Sequence, residues 1–265
     1  MLSIIAGLAW KIAATAGVVV LVSRVARRSG PLVASIVVGL PIAAGPGFLF
    51  LVLDHDAGFI AHSALACFAS TGLILVFTAV YARMAPWTGY LGCILAAALA
   101  WLAGALVLER LPLSLGMAFG CIAAGAAFAW LLRRPPDLRP PKTPLRSDWR
   151  LLALRAGIGG LAVGGVATLG SWLGPDLAGL ALGYPFLLTV TCWVIHNQLG
   201  GAFAAAMLTG LQRSVASFAS FVLVLALLSG TLHPLAAWSL GIVVSAAVAA
   251  AVAGLHRFTA RPPHG

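Results

Sequence analysis

Gly30-Pro31-Leu32-Val33-Ala34-Ser35-Ile36-Val37-Val38-Gly39-Leu40-Pro41 returns in degenerate form at Gly174 to Pro185. The two stretches align without a gap at an offset of 144, sharing Gly30/Gly174, Pro31/Pro175, Ala34/Ala178, Gly39/Gly183 and Pro41/Pro185. Those identities stand above the roughly one or two that chance would leave in so skewed a composition, and mark an internal duplication. Each copy sets a Gly-x-Pro inside an apolar segment, and the first runs on into Gly45-Pro46-Gly47. Helix breakers at matching places in two halves point to the binding site of a transporter.

Working outward, the chain of 265 residues is 62% hydrophobic and 8% charged, with a mean hydropathy of +1.06. Apolar runs of about 20 residues, the length that spans about 30 Å of hydrocarbon, follow one another with little interruption. The fold class is therefore all-α, a polytopic helical membrane protein whose partner is the lipid bilayer. Nine spans are expected, at 3–23, 31–53, 58–81, 86–108, 112–132, 150–172, 176–196, 201–228 and 234–254. Residues 1–23 lack a basic leader and are read as a retained span.

The net charge of +10 would elsewhere suggest nucleic acid, but here the basic residues sit in short loops and read as topology, not as a nucleic-acid surface. An external amino terminus puts Arg24, Arg27, Arg28, Arg83, Arg257 and Arg261 on the cytoplasmic side of the plasma (inner) membrane. The six Lys or Arg residues of Arg133 to Arg150 join them, and Arg110 is left outside. The carboxyl terminus is then cytoplasmic. That Pro- and Arg-rich segment is the linker, so the chain divides into a first half over 1–132, a linker over 133–149 and a second half over 150–265.

The same topology makes the duplication an inverted repeat. If spans one to four return as six to nine, the unpaired fifth span reverses the second copy, and spans two and seven are the broken helices. Lys11/Arg155, Phe59/Phe203, Ser70/Ser214 and Phe77/Phe221 share the offset. Glycine pairs at Gly116/Gly120, Gly160/Gly164, Gly170/Gly174 and Gly179/Gly183 allow close helix approach. Trp10, Trp87, Trp149, Trp172 and Tyr81 fall near span ends, where aromatic residues fix depth.

Pro41, Pro46 and Pro185 each remove a backbone donor and free the carbonyl four residues before. With Gly45 and Gly47 they predict a discontinuous helix whose half-helix amino terminus attracts anions. Arg213 lies near the middle of the eighth span with Gln212 before it. Lys11 and Arg155 lie nearer the ends of the first and sixth. Intramembrane cations without intramembrane acids argue for a small anionic substrate, carboxylate- or phosphate-like. The expected binding set is Arg213, Lys11, Arg155, Pro41, Gly45, Pro46, Gly47, Pro185, Thr189 and Gln212. Hydroxyls of Thr189, Thr191, Ser214 or Ser217 offer a route for sodium, although no coupling ion is specified.

At the outer face Asp54, His55, Asp56 and His62 supply residue types for an interfacial acid–base or metal site, without diagnostic ligand spacing. His196 and Asn197 form an inner polar cluster suited to a gate or a helix end. The cysteines carry no CxxC, and no nucleotide, zinc-protease, serine-hydrolase or heme motif is present, so no metal, cofactor or catalytic residue is called. The leading expectation is a secondary transporter working by alternating access. An enzyme with the outer Asp/His site, or a channel or structural subunit, are the alternatives.

Overall fold

The computed structural model describes residues 2–28, 41–133 and 149–259, all helix, turn or irregular backbone with no strand among them. Most of the first repeat copy, Gly30 to Leu40, the bulk of the linker and the last six residues lie outside the described residues. The helices are α1 (Leu2–Arg28), α2 (Ala44–Asp54), α3 (Ala57–Met84), α4 (Tyr90–Glu109), α5 (Leu115–Leu131), α6 (Trp149–Gly183), α7 (Phe186–Leu199), α8 (Gly201–Leu211), α9 (Val215–Leu228) and α10 (Pro234–Thr259).

Among the described residues, six stretches are long and apolar enough to cross a membrane: Ile5–Val25, Ala57–Met84, Tyr90–Glu109, Trp149–Leu199, Gly201–Leu228 and Pro234–Leu255. The nine separate spans expected from hydropathy are not all recovered among the described residues: the fifth corresponds to the shorter α5, and only Ala44–Asp54 of the second is described beyond its opening turn. The sixth and seventh share one apolar stretch, Trp149–Leu199, but are parted at Gly174, where the backbone is non-helical.

Everything is arranged about α3. Its amino terminus is fixed by Asp56, whose carboxylate accepts a 2.8 Å hydrogen bond from Phe59 N, an N-cap that satisfies one orphan donor. Sixteen of its 28 residues are buried, against five of 20 in α4 and three of 17 in α5, because α2, α4, α5, α6, α8 and α9 all pack on it. The outer helices turn apolar side chains outward instead. On α4, Leu91, Leu95, Leu99, Leu102 and Leu106 make an exposed stripe at helical spacing, a surface suited to lipid.

Close contacts fall where small residues permit them. Ile12 of α1 packs between Gly160 and Gly164 of α6, and Gly179 and Gly183 lie directly on Ser63 and Ser70 of α3. Gly116 and Gly120 face open space, so that expected contact is not made. The run of α6 bends at Gly174, whose φ of 77° is a backbone conformation that glycine adopts without a Cβ penalty.

Two helix pairs run antiparallel. Lys11 meets Ala167 while Val19 lies beside Gly159, so α1 ascends as α6 descends. Thr78 of α3 is bonded to Gln212 just past α8, and Ala85 lies on Gly201 at the start of α8. The exposed Trp10, Trp87, Trp149 and Trp172 suit depth anchors, but Tyr81 is wholly buried. Its hydroxyl donates to Cys192 O at 3.3 Å or shares a proton with His196 Nδ1 at 3.1 Å, which explains its inward position.

Candidate functional site

The break before α7 is a single tight turn. Pro185 sits at φ −80°, ψ 60°, and Phe186 N donates to Tyr184 O at 2.8 Å, the inverse γ-turn that a proline-fixed φ favours. Tyr184 N donates to Ala181 O at 3.2 Å, so the carbonyl that Pro185 would otherwise strand is satisfied by a shorter loop. Regular helix resumes with Thr189 N to Pro185 O at 2.9 Å. The break lies beside the middle of the bundle, because Gly183 rests on Ser70, the fourteenth residue of α3.

At the matching place 144 residues earlier, Gly45 N donates to Pro41 O at 2.6 Å and α2 begins at Ala44. Pro46 falls in the first turn of α2, where a missing donor costs nothing, and Ile42 belongs to the preceding turn. Pro46 thus starts a helix here and strands no carbonyl inside one, correcting the expectation drawn from its spacing. Gly45 O accepts from Trp238 Nε1 at 2.8 Å. A Cβ on Gly47 would come within 2.6 Å of Leu182 and 3.3 Å of Val163, so the start of α2 packs on α6, close before the Pro185 turn. Most first-turn amides here are already bonded, Gly45 N and Gly47 N to Pro41 O and Ala43 O, Phe186 N and Thr189 N to Tyr184 O and Pro185 O, so the amides of Leu187 and Leu188 in α7 are those left without a backbone acceptor among the described residues.

An aromatic group closes one side of it. Tyr184 stands edge-on to Trp101 at 5.0 Å and to Phe77 at 6.1 Å, with Phe186 at 4.6 Å. The other side is the hydroxyl-bearing face of α3, where Ser63, Ser70, Thr71 and Thr78 are all buried. Sequence reading passed over that face, although Ser63, Cys67, Ser70 and Thr78 recur at helical spacing and could have signalled it.

The three intramembrane cations do not converge. Lys11 Nζ pairs with Asp54 Oδ2 at 2.6 Å and donates to Ala167 O at 3.2 Å, so an acid at a helix end reaches it. Arg155 lies twelve residues before Ala167 on α6, about 18 Å away at 1.5 Å per residue, and its Nε is buried with no hydrogen-bond partner among the described residues. Arg213 is exposed, in a tightened turn over Gln212–Ser214 that separates α8 from α9. There Arg213 N and Ser214 N bond three residues back, to Gly210 O at 3.4 Å and Leu211 O at 2.9 Å. Gln212 Nε2 donates to Thr78 Oγ1 at 3.2 Å.

The hydroxyls suggested for sodium are engaged locally. Thr189 Oγ1 donates to Pro185 O at 2.9 Å and Thr191 Oγ1 to Leu187 O at 2.6 Å, while Ser217 is linked to Ser245 at 2.8–2.9 Å.

The outer residues have separate tasks. Asp54 holds Lys11, Asp56 caps α3, His62 Nδ1 lies 2.9 Å from Gly58 O, and His55 stacks on Phe59 at 3.9 Å. Burial lowers the His55 pKa, Asp54 opposes the shift, Lys11 adds to it and Asp56 opposes it. Among the described residues no group of three or more His, Cys, Asp and Glu is placed to hold a metal. At the opposite end His196 contacts both Tyr81 and Tyr90, and Asn197 is exposed. Compared with protein-family models, curated proteins and solved structures, the chain matches none.

Proposed function

We propose that the chain is a secondary-active carrier of a small anion in the inner membrane, with an external amino terminus, a cytoplasmic carboxyl terminus and nine crossings built as an inverted repeat. The observation that carries this reading is the pair of helix starts at Pro41 and Pro185. They make the same backbone bond at an offset of 144 residues, and Gly47 at the start of α2 packs on Leu182, the third residue before Pro185. An anion at that crossing would meet amide groups and positive dipole ends, away from bulk water. The antiparallel α1/α6 and α3/α8 pairs support inversion, since copies of opposite orientation meet that way.

In alternating access the two halves rock about this crossing. One end is closed by Lys11–Asp54 and the other by the contacts of Tyr81 and Tyr90 with His196. The amino-terminal ends of α2 and α7 orient the anion, and no covalent step is needed.

The test uses single-cysteine variants at His55 and Asn197 in a cysteine-free background, labelled in vesicles of known orientation with a membrane-impermeant maleimide. An anion that is carried protects one position while exposing the other. Parallel changes at both, or none with any carboxylate, phosphate or sulfate, would sink the reading. Thermal unfolding in detergent supplies the binding arm, since a ligand at a hundred times its Kd adds about 2.7 kcal/mol to folded-state stability.

A further inference from the structure

Lys11 and Arg155 stand 144 residues apart at the same place in the two halves, and their surroundings differ in one respect. Lys11 has the Asp54 carboxylate at 2.6 Å and the Ala167 carbonyl at 3.2 Å. The residue 144 after Asp54 is Gln198, which is neutral and exposed. Arg155 has its Nε buried without a hydrogen-bond partner among the described residues.

The antiparallel course of α1 on α6, with Lys11 at Ala167, Ile12 between Gly160 and Gly164 and Val19 at Gly159, brings Arg155 level with the stretch from Val19 to Arg24. Gly159 also touches Leu187, so α7 runs alongside. This end carries exposed Arg24, Arg28 and Arg150, whereas the described acids Asp54, Asp56, Glu109 and Asp176 belong to other helix ends and loops. Among the described residues, the second half therefore keeps the cation of the first half and places no acid beside it. A guanidinium with a desolvated nitrogen inside an apolar bundle is costly until an anion joins it.

We infer that Arg155 is the seat of an exchangeable small organic monocarboxylate, which takes there the place that the Asp54 side chain takes at Lys11. One carboxylate balances one guanidinium and fits its planar fork through two parallel hydrogen bonds. While it is paired with Arg155 a monoanion leaves no surplus charge in the apolar bundle, as a phosphate dianion would. Arg24, Arg28 and Arg150 raise the local anion concentration at the mouth. The passage onward rests on the carrier reading, while the binding at Arg155 does not.

The experiment compares full-length wild type, Arg155→Gln and Gln198→Asp in detergent, by thermal unfolding and titration calorimetry with acetate, benzoate, phosphate and chloride. A carboxylate should stabilise wild type saturably and bind Arg155→Gln at least tenfold more weakly. Gln198→Asp, which tethers a counter-ion where the first half has one, should raise the ligand-free midpoint and abolish the carboxylate effect. Should Arg155→Gln fail to fold, Gln198→Asp carries the test alone. Equal carboxylate binding by wild type and either variant overturns the assignment, as does stabilisation by phosphate alone. Proteoliposome uptake separates the two readings. Phosphate or sulfate uptake indifferent to Arg155→Gln leaves a carrier and removes this site, whereas no anion uptake with intact carboxylate binding removes the carrier and keeps the site.

Discussion

The third helix and the α8–α9 run occupy matching places in the two halves, with Ser70 opposite Ser214 and Phe77 opposite Phe221, yet only α3 is unbroken. Where α8–α9 has Gln212 and Arg213, α3 has Phe68 and Ala69, both buried. The difference lies in the neighbours. Helix α5 lies along α3 so closely that Gly72 and Gly125 touch backbone to backbone. Ala216, at the place of Gly72 in the second half, is exposed. A helix packed all round has no free direction in which to place a charge, whereas one with an uncovered face can carry Arg213 there.

The largest expected effect tests that asymmetry directly. Gly72→Leu has no room, because a Cβ there would overlap the Cys121 carbonyl, and it should cost more than about 4 kcal/mol or prevent folding. Ala216→Leu, at the uncovered equivalent, should stay within about 0.5 kcal/mol by thermal unfolding. Equal damage from both would mean that the face of α9 is covered after all.

Next comes the ion pair. Asp54→Asn leaves the Lys11 ammonium, with 11% side-chain exposure, without its acid. Since Asp54 is 43% exposed, a loss of about 1–2 kcal/mol is expected, less than for a fully buried pair. Lys11→Met in the same chain should recover most of it, because replacing both partners removes the stranded charge. No recovery in the double variant would mean that Asp54 acts through something other than Lys11.

Proton linkage at the junction of α2 and α3 follows from His55. Its folded pKa lies below the ordinary value of 6.5, so the unfolded chain takes up its proton first as the pH falls. The contribution of His55 is complete above that value and is lost as the pH drops through the lowered folded pKa. The unfolding midpoint of wild type should fall more between pH 7 and pH 5 than that of His55→Gln, as followed by buffer-matched thermal melts. A steeper dependence in the variant would reverse the sign.

The smallest effect belongs to the turn. Gln212→Leu removes one 3.2 Å bond to Thr78 and should cost about 1 kcal/mol or less, while hydrogen exchange at residues 212–214 accelerates.

Local chemistry was legible in the sequence, and azimuth was not. Proline and glycine act through their own backbone, so the break at Pro185 could be read directly, while the residues before Pro41 lie outside the described ones. The expected binding residues Arg213 and Arg155 were ranked by depth along their spans, yet Arg213 is exposed and Arg155 holds the buried nitrogen. These helices are apolar on nearly every face, so periodicity gives no sign of which side is covered. The Lys11–Asp54 pair joins residues 43 apart, one of them assigned to an outer loop, and only the packing of α1 against α2 brings them together. Pro46 was misread because its role depends on where the helix starts, and Ala44 is only two residues before it.

The central position of α3 has a consequence for biosynthesis. Its hydroxyl face is covered in the finished protein by Gly179, Gly183 and Gln212, all made more than a hundred residues after Ser63 and Ser70. At roughly 5–20 residues per second, a nascent first half waits about 5–30 s for that cover. During this interval a Ser/Thr-lined helix sits beside the translocon or in lipid with its final neighbours still on the ribosome. A membrane insertase or chaperone that shelters such a helix would therefore bear on the yield of the folded chain.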